Sequence, residues 1–439
     1  MDTMHHHPYP HRGTTGLRRG ALTTGALALA LGLAACAGGA GGAGDSGSGA
    51  AEGEGVEWGA GAEEYTAALA DMEPVTLTYQ AGGQGPNGFT GESELAYAER
   101  IKEWSGGKIE LEMVWGQAIS PFDQVTEAAA DGRIDIGVEI PIYDPSKYPV
   151  VNELINLSPT KPTGPYLEEM VFNAAMQEVA WDTPEILAEY EDKGAYVQTP
   201  VNFEFANALM CTEDGASLAD FGARQLRVGS SADLTIAESL GGTPVSMQFV
   251  EAYEALQRNT IDCTFGGLRI GADNGFLTVA PYAIFPSESS WVRNPTAQVL
   301  SQKVQDLPLA AQQLLFDLRP FSMANTIEGA IAFNGQAMDI IDETGGDVLR
   351  LDADAEAALD GAVEELRQKV VDSELVDGED LVARFETAYE KYYGIAVDLG
   401  YPEIDDYREL AEVNADEKIE IDDFTAAVFE EIHLPRRPE

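Results

Sequence analysis

Arg227 stands between Leu226 and Val228 in a short apolar run, Gln225 to Val228, that reads as a strand. A guanidinium there is costly unless something receives its charge, and its planar fork of donors matches a carboxylate bidentately. Three receivers are open to it: a structural carboxylate such as Asp233, water, or an acidic ligand. The histidines narrow the chemistry further. His5, His6, His7 and His11 precede residue 36, so His433, in the tail Leu434-Pro435-Arg436-Arg437, is the sole histidine beyond it. A Ser/His/Asp triad, a Cys/His pair or a histidine-rich zinc site needs an imidazole in the folded body. No P-loop or Rossmann glycine pattern occurs. The nearest approach to a calcium loop, Asp352, Asp354 and Glu356, lacks the glycine its turn requires. The expectation is a protein with no catalytic residue, no metal and no cofactor. Carboxylate-only hydrolysis passes this filter, but with 75 acidic residues a carboxylate pair carries little information.

The three cysteines divide by position. Cys36 follows Arg18, Arg19, the apolar run Ala26 to Leu33 and the small residues Ala34 and Ala35. That is the layout of an export signal with a lipidation point, so Cys36 is expected to become the lipidated first residue, and Arg18-Arg19 leaves a twin-arginine route open. The apolar run is too short to span a bilayer, which takes ~20 apolar residues. Cys211 and Cys263 remain, an even pair in an oxidising compartment; they read as a disulfide, the alternative being two buried apolar thiols.

Formal net charge is −49. So acidic a surface repels nucleic acid and anionic lipid, leaving the membrane accessible only through the anchor. It looks salt-adapted, because at ~1 M salt the Debye length falls to ~3 Å and self-repulsion is screened.

Stepwise along the chain, Ala37 to Gly55 is nearly all Gly, Ala, Ser, Asp and Glu, a composition that cannot offset its ordering entropy. A tether is therefore expected over 37–72, with a short helix at Tyr65 to Leu69 and the body starting near Glu73. Val75 to Tyr79, Ile109 to Val114 and Ile134 to Val138 read as strands, separated by helices at Glu92 to Trp104 and Phe122 to Ala130. Tyr166 to Lys193 is helical with a break at Pro184. A second such unit follows Pro200: strands at Gln225 to Val228, Pro244 to Met247 and Ile261 to Phe265, with helices at Ala232 to Leu240 and Val250 to Arg258. Helices Ala355 to Asp372 and Glu379 to Leu399 close the body. Alternation of this kind predicts an α/β protein with mainly parallel sheets.

Leu218-Ala219-Asp220, Leu226-Arg227-Val228, Leu240-Gly241-Gly242-Thr243-Pro244-Val245, then Phe249, Glu251, Tyr253, Ala255-Leu256-Gln257 and Ile261-Asp262 carry a resemblance. This region resembles the signature of TRAP (tripartite ATP-independent periplasmic) transporter solute-binding proteins of the C4-dicarboxylate-binding type. Ser105-Gly106-Gly107-Lys108-Ile109, Asp131-Gly132 and Ile134-Asp135-Ile136-Gly137 are similar to the family's amino-terminal half. The resemblance spans about Val75 to Tyr401.

It implies a two-lobed, periplasmic-binding-protein-like α/β fold with mixed, mainly parallel sheets and a long connecting helix. The expected division is a leader over 1–36, the tether, lobe I over 73–200 plus about 290–332, lobe II over 201–289 plus about 333–402, and an acidic extension over 403–439. The implied role is an extracytoplasmic, lipid-anchored receptor, not an enzyme, that hands an organic acid to membrane permease subunits. Arg227 takes the family arginine's place as partner of the ligand carboxylate, and Phe203, Phe249 and Trp291 are cleft candidates by family position. One departure shapes the ligand. Where the family commonly has Gly, a polar residue and Asn-Pro after the last strand's Asp, this chain has Cys263-Thr264-Phe265-Gly266-Gly267. With the amide missing, Thr264 would offer a hydroxyl and Phe265 an apolar wall, favouring a monocarboxylate with an apolar or aromatic portion. An ABC-type receptor and an extracellular carboxylate-dependent hydrolase remain the competing readings.

Overall fold

A computed structural model describes residues 54–439 of the chain. The expected lipidation site, Cys36, and the leader before it lie outside the described residues. Two mixed sheets organise the rest. The first contains β1 (Val75–Gln80), β2 (Ile109–Val114), β3 (Ile136–Glu139), β4 (Tyr196–Phe203) and, from much later in the chain, β10 (Pro295–Leu300), in the order β2-β1-β3-β10-β4. The second contains β5 (Asn207–Cys211), β6 (Gln225–Val228), β7 (Thr243–Ser246), β8 (Cys263–Gly267), β9 (Tyr282–Phe285) and β11 (Asp347–Arg350), in the order β11-β9-β5-β8-β6-β7.

The strands joined by helices are parallel, as right-handed crossovers require: β1 with β2 and β3, and β6 with β7 and β8. In the β1/β2 register Leu77 stands opposite Leu111 and Val75 opposite Ile109. Their common face packs with Tyr97 and Ile101 of the helix Phe89–Trp104 into one apolar core. Antiparallel pairs arise where the chain crosses between sheets. It leaves the first sheet after β4 and returns by β10, which runs against both β3 and β4, while β5 runs against β8 and β9. Cys211 faces Cys263 in the β5/β8 register, and the two form a disulfide with Cα atoms 4.1 Å apart.

A 26-residue helix, Arg319–Thr344, ties the sheets together. Ala324, Ile327, Ala330 and Ile331 bury into the largest core cluster, and one to two turns later Ala337, Met338 and Ile341 bury among second-sheet residues such as Ala208, Met210 and Phe285. Among the described residues no helix is long and apolar enough to cross a membrane.

Two terminal expectations are corrected. The stretch expected as tether up to residue 72 is folded from Val56 onward: Trp58 stacks on Phe429, and helix Ala62–Ala68 buries Tyr65 completely. The short helix read at Tyr65 to Leu69 is present, at Ala62–Ala68; what composition concealed is its docking, which few apolar side chains carry. Nor is 403–439 an appendage. Ile421, Phe424, Val428, Phe429 and Ile432 are buried, and Arg437 clasps Asp317 at 2.8 Å beside Tyr65. His433, read as part of a tail, is fully buried; its Nε2 lies 3.1 Å from Gln177 Oε1, and burial, helped by Arg319 and Arg436, holds it neutral, well below its usual pKa.

Candidate functional site

Between the two sheets lies a cavity of about 240 Å³. Strands β1, β4 and β10 contribute Tyr79, Phe203 and Gln298; β6 and β8 contribute Arg227 and Phe265; the long helix contributes Arg319, Met323 and Ile327. About half of the lining residues are polar, with Arg227, Arg269, Arg319, Glu94 and Glu204 the charged types, and they are set among apolar walls.

Arg227 is held by its neighbours with part of its fork left over. Nε donates to Met247 O at 2.9 Å and Nη1 to Phe265 O at 3.4 Å, while Nη2 is buried with no acceptor. Gly229 makes room for this arrangement, since a Cβ there would come within 3.1 Å of Nη2 and 3.3 Å of Nη1. Arg227 is 3% exposed, so bulk solvent does not reach it. Asp233, the structural alternative, is engaged elsewhere through Oδ2, while its Oδ1 is buried and makes no hydrogen bond to Arg227. Its Oδ2 accepts from the backbone N–H of Gly229 and Ser230 at 3.0 Å, and Ser230 Oγ accepts from Asp233 N in return, a capping box that starts helix Ser231–Ser239. Arg227 lies close enough to oppose the rise in Asp233's pKa caused by burial, but among the described residues it forms no ion pair.

Arg293 shows what a satisfied buried arginine looks like in the same protein. It grips Glu169 bidentately at 2.9 and 3.0 Å and spends its other donors on Ser158, Pro162 and Ser290 oxygens. Neither charge reaches solvent. Arg227 is short of such a partner.

The sequence-derived residues separate cleanly. Arg227, Phe203, Phe249 and Phe265 all line the cavity. Thr264 does not: strand alternation turns it away from Phe265, and its buried hydroxyl donates to Phe265 O at 3.3 Å. Trp291 does not either. Its Nε1 donates to Ile284 O at 2.8 Å, and its ring meets Phe265 edge-on at 5.3 Å, so it supports the cavity wall from behind.

Several cavity groups escaped the sequence reading. Asn294, at the entry to β10, lines the cavity with Oδ1 buried and unpartnered, so an Asn-Pro pair does reach the site, from a segment some 30 residues later than the one searched. Tyr143 accepts from Phe249 N at 3.2 Å, and burial raises its phenol above the ordinary range. Glu94 is pushed up to about 7 by burial, against stabilising donation from the Gly82 and Gly83 N–H groups. Arg319 is pushed down to about 9 by the same desolvation. Only the Asn294-Pro295 dipeptide had a recognisable signal. The others are ordinary residue types whose burial is set by long-range packing.

Among the described residues no cluster of His, Cys, Asp and Glu is placed to hold a metal ion. Residues 86–374 match the bacterial extracellular solute-binding protein family 7, DctP. The chain belongs to this family. Its members are the solute-binding components of TRAP transporters, receptors and not enzymes. Solved structures of the family share the fold. A marine-metagenome TRAP solute-binding protein specific for aromatic acids, crystallised with 3-hydroxybenzoate, aligns with a TM-score of 0.63 at 19% identity, covering 73% of this chain and 99% of that one. A TRAP protein from Bordetella bronchiseptica with bound (R)- and (S)-mandelate aligns at 0.61 and 17%, covering 72% and 99%. One from Rhodoferax ferrireducens with copurified benzoate aligns at 0.63 and 15%, covering 73% and 99%.

Proposed function

We propose that this family 7 protein is a lipid-anchored receptor, tethered through Cys36, that captures an organic acid by its carboxylate and delivers it to TRAP permease subunits. The observation that carries the reading is the Arg227 fork: a buried Nη2 without an acceptor, in a cavity between two sheets. A carboxylate placed there would gain a charge-assisted pair in a partly dry site, where such pairs are strong. Phe203, Phe249 and Phe265 favour a ligand with an apolar or aromatic body, the chemistry seen in the benzoate, hydroxybenzoate and mandelate complexes of the structural relatives. Closure would bring 73–200 with about 290–332 against 201–289 with about 333–402, by hinge motion at the crossings between the sheets.

The test is calorimetric titration of the full chain with benzoate, 3-hydroxybenzoate and mandelate, beside native mass spectrometry for a copurified acid. Arg227→Ala should weaken binding about tenfold or more, the loss of a contact worth ~1.5 to 3 kcal/mol. Unchanged affinity in this variant would remove Arg227 from the carboxylate's side. Incorporation of labelled palmitate, abolished by Cys36→Ser, tests the anchor separately.

A further inference from the structure

Residues 403–439 lie beyond the family match, which ends at residue 374, and yet one of their side chains reaches the cavity. Phe424, on the short helix Asp422–Val428, lines it together with Met323, Thr326 and Ile327 of the long helix. The residue is 1% exposed, so its ring is interior wall.

The segment is fastened on both sides of that ring. Well before it, Tyr407 stacks on Phe285 of β9 at 4.5 Å and donates to Gly164 O at 3.2 Å, while Arg408 pairs with Asp342 at 2.7 Å. Immediately before the helix, Lys418 Nζ reaches Glu328 Oε2 at 2.6 Å, and Ile421 N donates to Glu328 Oε1 at 3.4 Å. After it, Phe429 stacks on Trp58 and meets Phe316 edge-on at 5.5 Å. His433 then holds Gln177, which lines the cavity as well. Tyr401 supports Phe424 itself, ring edge to ring face at 6.3 Å. In an interior packed this closely a ring anchored from both directions cannot swing aside without breaking several contacts, so it acts as a fixed stop.

We propose that Phe424 is a specificity-determining residue: it bounds the cavity and sets the greatest length of the acid's apolar body. This rests on the organic-acid reading of Arg227 and deepens it. Each methylene added to the ligand that finds room buries apolar surface and tightens binding about fourfold. The first that finds none must displace a packed ring, and the gain reverses.

The ω-phenylalkanoates test it, from benzoate and phenylacetate up to 6-phenylhexanoate, each titrated calorimetrically into the full chain. Wild-type affinity should climb to an optimum length and fall beyond it. Phe424→Ala should move that optimum at least one methylene longer and tighten the longest acids about tenfold, with the shortest little changed. Phe424→Leu should move it less, and Phe424→Trp should move it toward shorter acids. An optimum at the same length in every variant, a uniform loss across the series, or a wild-type affinity that climbs to the last member would overturn the stop and leave the Arg227 reading intact. If no member binds, the organic-acid reading itself falls, and this one with it. Thermal melting checks the fold of each variant; should the alanine variant fail to fold, the opposite shifts expected of leucine and tryptophan decide.

Discussion

Arg227 was legible because its immediate neighbours are apolar, so the sequence itself advertises a cation out of place. Arg319 gave no such sign: Pro320 follows it, as at many helix starts, and its burial exists only once Thr199, Phe316 and the carboxy-terminal residues have converged on it. Thr264 and Trp291 were misjudged for the opposite reason. Their types suit a ligand, but strand alternation and a backbone acceptor claim them first. Glu139 carries the clearest pH prediction at this scale. Burial lifts its carboxyl from 4.5 to about 8, although Thr126 N and Oγ1 donate to Oε2. The native state therefore holds a proton that the unfolded chain has released throughout that interval. Its contribution to stability is full below about 4.5 and is lost as pH rises through about 8. Glu139→Gln should flatten the fall in melting temperature across this window, as read by thermal unfolding at a series of pH values. A slope unchanged by the substitution would place the titration elsewhere.

Among the elements, those with strong periodicity were readable to within a few residues. Gln225–Val228 and Ile109–Val114 are the strands anticipated, and the helices at Ser231–Ser239 and Gly378–Asp398 are displaced by one residue from the reading. The strands that were missed, β4, β5, β9, β10 and β11, include the antiparallel members that carry the chain from one sheet to the other. They have no helix to announce a crossover, and β4 and β10 each contain a proline. Their pairing is decided by partners far away in sequence, which local pattern cannot reveal. The disulfide belongs to this scale, since it staples β5 to β8 at the centre of the second sheet and closes 52 residues. Replacing Cys211 and Cys263 together by alanine should cost up to ~4 kcal/mol by loop-closure entropy. Denaturant unfolding of the oxidised protein and the double variant measures this, and equal midpoints would mean that strand pairing alone holds the junction.

At the scale of the whole molecule, a net charge of −49 makes the surface repel itself, although the buried charges are paired or neutralised where Arg293 meets Glu169 and where Glu94 and Glu139 are raised. Raising sodium chloride from ~0.1 to ~1 M shortens the Debye length from ~10 to ~3 Å, so melting should move to higher temperature. Sucrose at equal osmolality is the control that separates screening from general solute exclusion, and a salt response no larger than the sucrose response would reject the charge explanation. The helix Arg319–Thr344 makes a different demand on the molecule. Its first turns bury in a core cluster that draws on both sheets and its last turns in a second cluster on the second sheet, so neither half of the receptor can lose its order while this rod stays seated in the other. Heating should accordingly produce a single calorimetric peak whose van't Hoff and measured enthalpies agree, and the protein would behave as one melting unit despite having two lobes.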